Sequence, residues 1–81
     1  MKITFFGRLG DRIGREIEVD LPAFGCSVAD LRRHLAERYP AAADDLAART
    51  VRACVDEAIV PESYMIGTGQ RVEFFPPVSG G

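Results

Sequence analysis

Apolar and polar positions first follow a period of two. Residues 2–7 (Lys-Ile-Thr-Phe-Phe-Gly) are rich in β-branched and aromatic side chains, which predicts a strand. Residues 15–21 alternate more strictly, with Ile17, Val19 and Leu21 on one side and Glu16, Glu18 and Asp20 on the other. That pattern predicts a half-buried strand, hairpinned to the first and ended by Pro22. Residues 8–14 hold Gly10 and Gly14 and read as a loop. From Val28 the period becomes helical. Val28, Leu31, Leu35 and Tyr39 form one stripe, and Arg32, Arg33, His34, Glu37 and Arg38 cover the remaining surface. Ser27 with Asp30 three residues later resembles a capping box, with Asp in place of Glu or Gln. Pro40 closes the helix.

Residues 41–48 predict a short second helix with Leu46 turned inward. Residues 51–55 predict a third strand, Asp56-Glu57 a turn, and Ala58-Ile59-Val60 a short fourth strand that Pro61 breaks. Gly67-Thr68-Gly69 is a turn before the last strand, residues 71–75. The order is β-β-α-(α)-β-β-β with one main helix. Such a chain packs as two layers, a mixed sheet with the helix across one face. The expected class is α+β, a β-grasp or ubiquitin-like fold of about five strands, its last strand central beside the first. The domain spans residues 1–75 and a tail spans 76–81.

Strand parity then separates neighbours. Ile3 and Phe5 share one face, leaving Lys2, Thr4 and Phe6 on the other. Val72 and Phe74 share one face, leaving Arg71, Glu73 and Phe75 on the other. With Phe5 and Phe74 under the helix, Phe6 and Phe75 lie on the open face with Ile59 near them. Exposed aromatics that cluster mark a partner surface. The competing expectation is that residues 8–14 or 61–66 fold over them.

Composition narrows the classes. An 81-residue chain with 47% apolar and 27% charged residues is one small globular domain. Its net charge of −2 lacks the basic excess of a nucleic-acid module. Lys2 is the only lysine, so chains of this protein linked through lysine would have only Lys2 to use. Cys26 and Cys54 are far apart, have no CxxC partner and share the chain with one histidine, so no zinc spacing exists. Two free thiols are the simpler state and one disulfide the alternative. With no signal peptide or membrane-spanning run in the sequence, the expected compartment is the cytoplasm.

No residue set supports catalysis by this chain alone. His34 sits among arginines on the polar helix face. Ser27 serves as a cap, and Ser63 and Ser79 have no histidine near them in sequence. Packing is the default for both cysteines. Asp44-Asp45 suit the first turn of a short helix. No helix follows Gly67-Thr68-Gly69, so it is not a phosphate loop. What remains is the ending Pro76-Pro77-Val78-Ser79-Gly80-Gly81. The prolines fix φ and donate no hydrogen bond, which makes a stiff, extended strut. Gly80 and Gly81 have no Cβ and can thread a narrow channel. The α-carboxylate of Gly81 is then a handle for another enzyme. The plain alternative is a frayed chain end.

The ending from Phe74 to Gly81 resembles that of the molybdopterin synthase small subunits, the MoaD type of β-grasp sulfur carrier. The likeness extends to Ile3-Thr4-Phe5-Phe6-Gly7, to Val28–Leu35 and to Val55–Val60. It implies that an activating enzyme of the MoeB type, using ATP, adenylates Gly81. A sulfurtransferase or cysteine desulfurase then supplies sulfur, and Gly81 becomes a thiocarboxylate. Gly80 gives passage as the tail enters a pocket of the large MoaE-type subunit and gives sulfur to precursor Z. Phe6, Ile59 and Phe75 fall where the family docks. The resemblance implies no cofactor bound to the chain itself, no nucleic acid and no membrane. Carriers for thiamine or tRNA thiolation, and ubiquitin-like modifiers, share the tail chemistry and are the alternatives. Two turns depart from the family pattern: Asp56 stands where Asn is frequent, and Thr68-Gly69-Gln70 replaces an Asp-Gly-Asp-like turn.

Overall fold

The computed structural model describes residues 1–20, 25–48 and 50–75. Leu21, Pro22 and the whole of 76–81 lie outside the described residues. Its main sheet uses β1 (Lys2–Phe5), β2 (Glu16–Glu18), β4 (Arg52–Val55), β5 (Ala58–Val60) and β7 (Val72–Phe75), in the order β2-β1-β7-β4-β5. β1 and β7 are parallel and the other pairs antiparallel. The last strand is therefore central, as the sequence predicts. The main helix α2 (Val28–Arg38) supplies Val28, Leu31 and Leu35 to a core shared with Ile3, Phe5, Ala53, Val55, Val72 and Phe74. Residues 40–47 form a 3-10 turn and the short helix α3 (Ala43–Ala47), with Leu46 fully buried.

Ser27 caps α2 by accepting a hydrogen bond from the Asp30 N–H at 3.1 Å. The reciprocal half of the box is replaced: the Asp30 carboxylate pairs with Arg33 at 3.4 Å. The first two helical N–H groups donate to the carbonyls of Tyr64 and Glu62, so tertiary contacts satisfy donors that a helix start leaves open.

Three expectations need correction. Residues 8–14 are not a loop, since α1 (Arg8–Ile13) buries Leu9 in the core. Gly10 is what lets α1 approach β1, because a Cβ there would lie 2.9 Å from the Phe5 carbonyl oxygen. Second, β3 (Cys26–Ser27) and β6 (Met65–Ile66) form a separate two-stranded ribbon that the hydrophobic pattern does not show. Gly25 (φ 84°) precedes it, where a Cβ would collide with the Ile66 carbonyl.

Third, Arg32 is not a solvated surface residue. Its side chain is only 11% exposed. The Nη1 atom donates to the Leu46 carbonyl at 2.7 Å and Nη2 to the Val51 carbonyl. Nη2 also donates to Glu62 Oε2 at 3.1 Å. Nε lies 2.8 Å from Glu62 Oε1, close enough to pair charge, but its N–H is not aligned for a hydrogen bond. The guanidinium stands 5.3 Å from the Phe74 ring centroid. One side chain thus ties the main helix to the end of α3, the start of β4 and the segment after β5.

Candidate functional site

Parallel pairing of β1 with β7 sets Phe5 opposite Phe74. Both rings point under α2 and stack with centroids 5.7 Å apart. The next residue of each strand faces the other way. Phe6 and Phe75 stack on the open face at 4.6 Å with planes 2° apart. The adjacent phenylalanine pairs of the sequence thus become two stacked pairs, one on each side of the sheet. Phe6 remains 38% exposed, and Phe75 is half-buried with the Phe6 ring against it. Neither residues 8–14 nor 61–66 remove Phe6 from solvent.

Antiparallel register completes the face. Arg52 stands opposite Phe75, Cys54 opposite Glu73, and Ile59 opposite Cys54. Ile59 is 68% exposed and shares the face with the aromatic pair, but two strands away from Phe75 in the sheet. The three residues expected at an interface therefore lie on one surface, with only Phe6 and Phe75 stacked. Arg52 belongs to the same surface and was legible from the parity of β4.

Away from the phenylalanines the face is charged. Lys2 and Arg71 lie among Glu16, Glu18 and Glu73, with Lys2 Nζ 3.6 Å from Glu16 Oε1. An apolar step at the C-terminal ends of β1 and β7 thus adjoins a polar belt at their N-terminal ends. Phe75 is the last described residue, so the aromatic step marks where the chain continues into Pro76, Pro77, Val78, Ser79, Gly80 and Gly81. Those six candidate residues lie outside the described residues.

The described residues offer little chemistry of their own. Both cysteines are free. Burial, then the charge of Glu73, pushes the Cys54 thiol up, and burial, then Asp30, does the same for Cys26. Both are therefore thiols at neutral pH and poor nucleophiles. His34 is exposed on α2. Among the described residues no group of His, Cys, Asp and Glu could hold a metal ion. None of their helices is long and apolar enough to cross a membrane. The arrangement can present an apolar face with the last described residue, Phe75, at its edge.

Known proteins share this architecture. The model of the ThiS family matches residues 3–81. The molybdopterin synthase sulfur carrier subunit of Escherichia coli (strain K12) is 31% identical over 87 residues, spanning 100% of this chain and 99% of that protein. The putative molybdopterin converting factor, subunit 1, from Pyrococcus furiosus superposes with a TM-score of 0.79 and 26% identity over 95% of each chain. Small archaeal modifier protein 1 of Haloferax volcanii superposes with a TM-score of 0.79 over 95% of each chain. At 21% identity, that last likeness is one of fold.

Proposed function

The chain belongs to the ThiS family, and on that premise we propose that it carries sulfur on Gly81 for molybdopterin synthesis, as the small subunit of the synthase. The observation that carries this reading is the end-to-end match to the E. coli sulfur carrier subunit, with 99% of that protein covered. Family membership alone would serve a carrier for another sulfur pathway equally well. The relative's name favours molybdopterin.

The chemistry follows from what a carboxylate lacks. Hydroxide is a poor leaving group, so Gly81 must first be activated from outside. An activating enzyme joins it to AMP from ATP, and a sulfur source then displaces AMP to leave a thiocarboxylate. That group is a soft nucleophile which stays tethered, so no free sulfide is released. The large subunit supplies the active site and precursor Z. ATP belongs to the activating enzyme, and this chain turns nothing over by itself.

Docking uses two parts of the molecule. Phe6, Phe75 and Ile59 present apolar surface to a partner, while residues 76–81 insert beyond them. The short proline-led tail keeps the entropic cost of threading low. Gly80 gives clearance in the channel. The test is a reconstituted synthase assay with the intact chain and with Gly81 deleted. The intact thiocarboxylated chain should form the dithiolene only when the large subunit is present, and the truncated chain should form none. Full product from the truncated chain would overturn the reading.

A further inference from the structure

An activated acyl group is attacked by any amine presented to it, and this chain has almost none. Of its ten Lys and Arg residues only Lys2 is a lysine. Arginine stays protonated and is no nucleophile at neutral pH. Two amines remain, the α-amine of Met1 and Nζ of Lys2. We propose that Lys2 is the acyl acceptor of this fold, joined through Nζ to the activated Gly81 of a second copy. This rests on the reading of Gly81 as an activated carboxylate.

The two amines sit in different surroundings. The Met1 α-amine donates to the Val19 carbonyl at 2.8 Å and lies 3.3 Å from Glu18 Oε2. The Met1 carbonyl accepts from the Val19 N–H at 2.9 Å, and the Met1 side chain is only 2% exposed. The α-amine is therefore a rung of the β1–β2 ladder, and attack through it requires that rung to open. The Lys2 side chain is 63% exposed on the open face. Its ion pair with Glu16, the one it makes among the described residues, is 3.6 Å long and solvent-exposed, so it restrains Nζ weakly.

Topology favours a second copy over the chain's own tail. Ile3 pairs with Val72 in parallel register, so Lys2 lies level with Arg71, at the end of the sheet opposite Phe75. A tail returning to its own Lys2 would have to reverse directly after Phe75, at Pro76-Pro77, a pair that favours extended chain. In the step itself, the lone pair of deprotonated Nζ attacks the Gly81 carbonyl carbon of the adenylate. The C–N bond forms, the C–O bond to AMP breaks, AMP leaves with the electron pair, and the amine proton passes to water. No redox partner is needed, and the ATP is that of the activating enzyme. The product places a second chain at the charged end of the open face, away from Phe6 and Phe75.

The test uses the full chain prepared as a Gly81 thioester, a synthetic activated acyl group that bypasses the activating enzyme. It is incubated with untreated full chain, then read by intact mass and by peptide mapping. The expected product is a linked pair of 8.9 kDa chains with one branched peptide joining Gly81 to Lys2. Lys2→Arg in both the thioester chain and the acceptor keeps the charge beside Glu16 and should abolish that product. Linkage at Met1, a linked pair that persists with Lys2→Arg, a cyclised monomer, or hydrolysis alone would each overturn the proposal. None of these results bears on sulfur loading, which the thioester does not require.

Discussion

Phe74 and Phe75 are neighbours in one strand and stand in opposite environments. Phe74 is fully buried and stacked on Phe5, so Phe74→Ala should cost about 3–5 kcal/mol of stability. Phe75 is half-buried on the open face, and Phe75→Ala should cost about 1–2 kcal/mol while weakening partner docking by about 2 kcal/mol or more. Paired denaturant melts and binding titrations check both; the reverse order of stabilities would invert the face assignment. Parity alone separated these residues, because a strand alternates sides whatever its surroundings. Arg32 was not legible in the same way. Helical periodicity places it off the apolar stripe, and its carbonyl partners become adjacent only after α3 and β4 pack. Arg32→Lys retains the charge but cannot reach several carbonyls from one planar fork. It should lower stability by about 2–4 kcal/mol, read as a shift in denaturant midpoint.

Elements that the sequence hid are short ones. β3 and β6 have two residues each, too few to show any period, and α1 has six residues with Gly10 inside it. The β4–β5 hairpin was legible from Asp56-Glu57, and both turn residues have positive φ, 48° and 72°. Glu57→Gly should therefore raise stability by about 0.5–1 kcal/mol in a thermal melt, relief of left-handed strain exceeding the entropy that glycine loses. The two turns that depart from the family pattern touch each other. Asp56 Oδ1 accepts the Arg71 N–H at 3.0 Å, and Asp56 Oδ2 accepts from Gln70 Nε2 at 3.0 Å. Gln70 Nε2 also donates to the Tyr64 hydroxyl, and its Oε1 accepts the Gly67 N–H. The Arg71 N–H first, then Gln70, holds the Asp56 carboxyl below its ordinary value of 3.8. A folded value below the unfolded one means stabilisation that is fully present above the unfolded value. It is lost as pH falls through the lower folded value. Stability measured against pH should thus decline in acid below about pH 4, and Asp56→Asn should flatten that decline. An unchanged acid limb in the variant would show that Asp56 contributes none of it.

At the scale of the molecule, the central place of the last strand beside the first was readable because one crossover helix separates two hairpins, whereas the full order β2-β1-β7-β4-β5 needed the structure. The open face follows from the same economy, since one main helix covers one side of the sheet. What the chain end does is a matter of chemistry more than of fold. The fold is shared with small archaeal modifier protein 1, so the architecture alone does not name the reaction. The proposed function of this chain depends on sulfur at Gly81, which an intact mass reports without the large subunit. The full chain is treated with the activating enzyme, ATP and a sulfur source, and its intact mass and C-terminal peptide are determined. The expected result is a mass gain equal to one oxygen replaced by sulfur, located on Gly81 and absent when Gly81 is deleted. An unchanged mass, or sulfur found on Cys26 or Cys54 instead, would rule out Gly81 as the sulfur carrier.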